Sequence, residues 1–186
     1  TGATFVHPFN DLRVIAGQGT IGLEIAEDCA AHGLKPDAVL AGCSGGGMIS
    51  GIALALETLA PETAVHTVEP EGFDDYARSL RAGHPVANDA QAGSVCDALM
   101  AVSPGAIGFA LNSAADTRAV AVSDAEALAA VAFAFEELKL VVEPGGAVAL
   151  AALLSGRLDI RGGTLALVLS GGNIDAAVLD RALERA

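Results

Sequence analysis

The sequence predicts an α/β fold, a parallel twisted sheet flanked by helices, and three observations predict it. Short β-rich apolar runs alternate with helical patterns along the chain, the order that crossover connections between parallel strands require. Of the 186 residues, 52% are hydrophobic and 18% charged, too apolar a mixture for disorder, so a large core must be buried. An apolar run ending at Gly42 passes through Ser44, Gly45, Gly46 and Gly47 into a helical pattern, the strand–turn–helix join of such sheets. No linker, internal repeat or low-complexity tract marks a boundary, so residues 1–186 read as one domain or most of one.

In chain order, the first helix is predicted at 20–32, stopped by Gly33 as a left-handed residue after the helix. A strand at 38–41 leads into a helix at 46–59, and a strand at 64–68 into a helix at 73–82. Residues 81–117 show weak periodicity and many turn residues, which predicts a long excursion near one sheet edge, a type of segment that often carries function. A strand at 119–122 precedes a helix at 124–140, with Ser123 as its cap and Glu126 completing a capping box. A helix at 145–154, a strand at 165–169 and a helix at 175–185 complete the pattern.

A net charge of −13, with ten Lys and Arg scattered along the chain, argues against a nucleic-acid partner, because no basic patch can form. The uncharged windows 38–56 and 98–115 are interrupted by glycines, Pro104 and Asn112, so neither reads as a membrane span. No basic stretch followed by an apolar one opens the chain, and no secretion signal is expected. Cys29, Cys43 and Cys96 are odd in number and lack CxxC spacing, which points to a reducing, cytoplasmic setting.

The strongest local signal is the glycine loop. Successive glycines let backbone amides converge on one anion, and the following helix start adds about half a positive charge. That local field survives the net negative charge, because charges beyond about 8 Å are screened at physiological salt. A tight turn without ligand is the plain alternative. No lysine follows the glycines as in a P-loop, and the spacing fails GxGxxG, so a dinucleotide site is a weak rival. A second apolar run meets Ser170, Gly171, Gly172 and Asn173, and two such turns at strand carboxyl ends would face one crevice. Between them Glu143 stands at a predicted helix entrance, where a carboxylate is also ordinary helix-start charge. His7, His32, His66 and His84 show no ligand spacing.

Six stretches in order then make the chain resemble the fold-type II pyridoxal-phosphate enzymes, in particular the threonine/serine dehydratase and serine racemase family. They are Val14-Ile15-Ala16-Gly17-Gln18-Gly19-Thr20, the Ser44 loop, Val68-Glu69-Pro70 followed by Asp74-Asp75, Ser103-Pro104-Gly105, Val142-Glu143-Pro144-Gly145, and Leu169-Ser170-Gly171-Gly172-Asn173. The resemblance implies that Ser44, Gly45, Gly46 and Gly47 wrap the phosphate of pyridoxal 5′-phosphate, a Ser replacing the first of the family's usual four glycines. It implies that Ser170 approaches the pyridine nitrogen and that Glu143 sits near the ring. It also implies a divalent cation, Mg²⁺ or Ca²⁺, held by Glu69, the Phe73 carbonyl and Asp75, an oxygen-rich set. An acidic first helical turn is the plain alternative there.

Family chemistry also requires a lysine that holds the cofactor covalently, in a motif like Ser-Phe-Lys-x-Arg-Gly-Ala, and nothing like it occurs here. Lys35 and Lys139 are the only lysines, and neither has a matching context. The chain is therefore expected to be the C-terminal, large-domain portion of such an enzyme, inactive alone, and to associate with itself or with the missing part. The resemblance implies a lyase that eliminates the β-hydroxyl of a hydroxyamino acid, giving a 2-oxo acid and ammonia. Serine racemase and hydroxyaspartate dehydratase activities share the scaffold. A nucleotide-binding α/β module and a noncatalytic interaction chain are the alternatives from other classes.

Overall fold

The computed structural model describes residues 2–115, 117–158 and 162–184. Four parallel strands, β1 (Ala38–Gly42), β2 (Ala64–Pro70), β3 (Arg118–Val122) and β4 (Leu165–Leu167), pair in the order β3-β2-β1-β4. Register is continuous, with Ala38 opposite both Ala64 and Leu165, and His66 opposite Arg118. All five residues of β1 are buried, as expected of an interior strand covered on both faces. Alternate β1 side chains divide the core. Ala38 and Leu40 join Val122, Leu128, Val131, Val148 and Leu150 on one face, while Val39 and Ala41 join Ile49, Ile52, Leu56 and Tyr76 on the other.

The helices are α1 (Leu12–Ala31), α2 (Gly47–Leu59), α3 (Asp75–Ala82), α4 (Ala106–Ala114), α5 (Asp124–Phe133), α6 (Pro144–Leu154) and α7 (Ala176–Leu183). The predicted parallel sheet flanked by helices is the observed architecture. Gly33 has φ 66°, and Ser123 and Glu126 form the capping box in both directions.

Four local expectations are corrected. The first helix begins at Leu12, eight residues before its predicted start, because the Asp11 side chain caps it through the Arg13 amide. Gly19 lies in that helix where α1 crosses α2, and a Cβ there would sit 3.3 Å from the Gly51 carbonyl oxygen. The helix predicted at 124–140 gives way at Ala134–Leu138 to a π turn, and Lys139 ends it with φ 60°. The 81–117 excursion contains α4 and a 3₁₀ turn at Asp97–Leu99, which weak periodicity hid. The last strand pairs over three residues, although the Val168 amide still donates to the Leu40 carbonyl. Arg185 of the last predicted helix lies outside the described residues.

Candidate functional site

Parallel strands deliver their carboxyl ends to one side of the sheet, and the two glycine turns follow neighbouring strands β1 and β4. Ser44, Gly45, Gly46, Gly47 and Ser170 accordingly line one open cleft of ≈ 550 Å³, a volume suited to a small ligand. Gly46 holds φ 90° as the residue before α2, and no side chain caps that helix. Among the described residues, the amides of Gly45, Gly46, Gly47 and Met48 donate to no protein acceptor. Uncommitted amides at a helix start are able to accept an anion. Ser44 is half-buried, and its Oγ accepts the Ala101 amide at 3.1 Å.

The loop is shaped from behind and from the side. The Tyr76 ring lies against Gly46, and its hydroxyl oxygen would stand 2.6 Å from a Cβ placed there. Asn112 Nδ2 donates to the Tyr76 hydroxyl and to Ser50 Oγ, which in turn donates to the Gly46 carbonyl at 2.6 Å. Burial pushes the Tyr76 hydroxyl pKa up, so it stays protonated. Phe9 packs on Gly45, Gly47 and Gly105, three positions where a Cβ would collide with it. The 7–11 segment is braced in turn, since His7 Nδ1 accepts the Asn10 amide and Asn10 Oδ1 accepts the Ile107 amide.

Glu143 does not line the cleft among the described residues. It packs under the second turn, where its Oε2 accepts the Asn173 amide at 3.1 Å and its own amide donates to the Gly171 carbonyl. A Cβ on Gly171 would lie 2.6 Å from the Glu143 carboxyl carbon, so Glu143 supports the segment that presents Ser170.

Glu69 and Asp75 are both fully buried at the β2–α3 connection, and Phe73 is buried between them in sequence. The Glu69 carboxylate accepts the Tyr76 and Ala77 amides, each at 2.8 Å, and so caps α3 from a distance in sequence. Asp75 Oδ1 accepts from Asn88 Nδ2 at 2.6 Å, while Oδ2 is buried without a partner. Burial raises the Glu69 pKa to about 8, with the Asp75 charge adding to it and the two amides opposing. Burial likewise raises Asp75 to about 6. No group of three or more His, Cys, Asp or Glu side chains suited to a metal is present among the described residues; the expected set has two carboxylates and a carbonyl.

Several lining residues escaped sequence reasoning: Pro8 and Phe9 from the chain start, and Asp97 to Ala101 from the excursion, while Gln18 lies in a stretch quoted for the family resemblance but given no role. The excursion's low periodicity was the one available signal for Asp97 to Ala101. Lys35 and Lys139 are exposed and do not line the cleft. No helix among the described residues is long and apolar enough to cross a membrane.

Fold and cleft together define a class: a parallel-sheet α/β protein with its site at the carboxyl ends of adjacent strands. The chain belongs to the pyridoxal-phosphate dependent enzyme family, whose model matches residues 1–171. It is 41% identical over 185 residues to an L-threonine ammonia-lyase of Thermotoga maritima, covering 100% of this chain and 45% of that protein. It is 42% identical over 175 residues to a beta-hydroxyaspartate dehydratase of Paracoccus denitrificans, covering 94% of this chain and 54% of that protein. The solved structure of a T.th. threonine deaminase superposes with a TM-score of 0.90 at 42% identity, over 94% of this chain and 62% of that one. The chain thus spans about half the length of the curated relatives it matches.

Proposed function

We propose that this chain is the cofactor-phosphate half of a pyridoxal-phosphate-dependent ammonia-lyase of the threonine/serine dehydratase type. The observation that carries the reading is the row of uncommitted amides at Gly45, Gly46, Gly47 and Met48, facing a cleft shared with Ser170. When bound, pyridoxal 5′-phosphate supplies an electron sink for the substrate α-carbon. In this reading Ser44 and the glycine amides bind the phosphate dianion, and the α2 N-terminus adds favourable electrostatics. Ser170 offers a neutral hydroxyl to the ring nitrogen, so that nitrogen is not held protonated as a carboxylate would hold it. A weaker sink suits elimination, where a leaving group departs as the α-proton is lost. Glu143 keeps Ser170 in place by holding the turn that follows it.

The small-molecule substrate in this reading is a hydroxyamino acid, and the 2-oxo acid and ammonia are the products. Racemisation of serine and dehydration of hydroxyaspartate are the runner-up activities, since their distinguishing groups lie outside these residues. The setting is a reducing cytoplasm, in keeping with the free Cys29, Cys43 and Cys96. The lysine-bearing protein is the form to assay with threonine, serine and hydroxyaspartate. Formation of 2-oxo acid with ammonia supports the reading, and inversion of serine without 2-oxo acid replaces it with racemase. The 186-residue chain alone is expected to turn over none of them, since neither of its lysines lies at the cleft.

Glu69, the Phe73 carbonyl and Asp75 remain the proposed cation ligands. Two fully buried carboxylates, one with an unpartnered oxygen, support Mg²⁺ or Ca²⁺ there. A cation at a hundred times its Kd stabilises the folded chain by about 2.7 kcal/mol. Melting should rise with cation over chelator in the unaltered chain and not in Asp75→Ala.

A further inference from the structure

Ser44 is the one residue of the glycine loop with a hydrogen-bonding side chain, and a hydroxyl can donate to an anion only if its proton is not spent elsewhere. In the structure Ser44 Oγ is an acceptor, taking the Ala101 amide at 3.1 Å. With a lone pair occupied by that N–H, the hydroxyl proton is directed away from Ala101. The geometry of Ala101 is itself imposed from the far side. Asn88, buried at 7% exposure, donates one side-chain N–H to the Ala101 carbonyl at 2.8 Å and another to Asp75 Oδ1 at 2.6 Å. Its backbone amide donates to the Val102 carbonyl at 2.8 Å, so Asn88 grips two consecutive residues. The guanidinium of Arg78 donates to Asn88 Oδ1, which fixes which end of the amide faces Asp75 and Ala101.

We propose that Asn88 is a positioning residue for the phosphate cup: anchored on Asp75, it holds Ala101 so that the Ala101 amide orients the Ser44 hydroxyl as a donor to the bound phosphate. This inference rests on the reading of the glycine loop as a phosphate cup. Asn88 touches neither phosphate nor substrate in this scheme. It lies in the 81–117 excursion, whose hydrogen bonds to α3 on one side and to the glycine loop on the other give that segment a role in the site.

The test titrates the 186-residue chain with inorganic phosphate by calorimetry. Ser44→Ala should weaken binding about tenfold, the loss of one charge-assisted hydrogen bond. Asn88→Ala should weaken it by a similar or smaller factor, and adding Asn88→Ala to Ser44→Ala should cost nothing more. A merely structural role for Asn88 predicts the same further loss in both backgrounds, and that result overturns the proposal. A second measurement needs no Asn88 variant. Phosphate binding to the unaltered chain should shift the Asn88 side-chain amide proton resonances, and Ser44→Ala should remove the shift. Asn88 resonances that stay still while phosphate saturates the unaltered chain overturn the proposal by themselves. Absence of saturable phosphate binding to the unaltered chain overturns the cup reading, and this inference with it; binding with additive losses overturns the positioning role alone.

Discussion

At Gly46 the backbone sits at φ 90°, and an added Cβ would press into the Tyr76 ring. Gly46→Ala therefore meets two costs, left-handed backbone strain and overpacking, together about 2–4 kcal/mol. It should lower the melting temperature and abolish phosphate binding; a variant that melts as the parent does would show that Tyr76 yields easily. Glu126 makes a different kind of residue-scale prediction. The Arg157 guanidinium beside it and its capping bonds to Ser123 hold its carboxyl at about 2, against an ordinary value of 4.5. A depressed folded pKa contributes stability above pH 4.5 that is lost as pH falls toward 2. Glu126 is partly exposed, so the contribution is about 1 kcal/mol. Melting curves of Glu126→Gln between about pH 2 and 6 should fall less steeply with acid than those of the parent, and parallel curves would remove this role.

Among the elements, α1 and α2 cross at Gly51, where a Cβ would meet the Ile15 carbonyl oxygen and lie 2.5 Å from the Gly19 nitrogen. Both obstacles are backbone, so Gly51→Ala forces the helices apart and should destabilise by about 3 kcal/mol. Gly17, on the same α1, has nothing within 4 Å of its missing Cβ, and Gly17→Ala should stabilise by about 0.5–1 kcal/mol. Opposite shifts in thermal melting check the pair. These glycines also explain what the sequence could not tell. Local propensity counts Gly19 against a helix, whereas the close approach of α1 to α2 suits a residue without a Cβ there. The central strand β1 was legible because burial on both faces makes it a continuous apolar run. The first glycine turn was legible as a strand-to-helix join because it stands between an apolar run and a helical pattern. Phe9 and Asn88 were not, because their roles depend on contacts with Gly45 and Ala101 that no local pattern records.

For the whole molecule, large apolar side chains stand in solvent at both the start and the later part of the chain: Phe5 is 80% exposed, Leu12 66% and Val141 53%. Exposed apolar surface of this kind favours association, and light scattering on the isolated chain should give a mass that rises with concentration; a constant monomer mass would refute it. The sheet order has a further consequence in time. β1 takes its second neighbour from β4, and the Thr164 amide bonds the Asp37 carboxylate across 127 positions. During synthesis the buried strand before the glycine loop must wait until β4 has emerged before that flank is covered. Ser170 arrives last of all the cleft residues. A nascent chain stalled before residue 165 would hold the glycine loop without its opposite wall, and the newborn protein is exposed to chaperones and proteases for that interval.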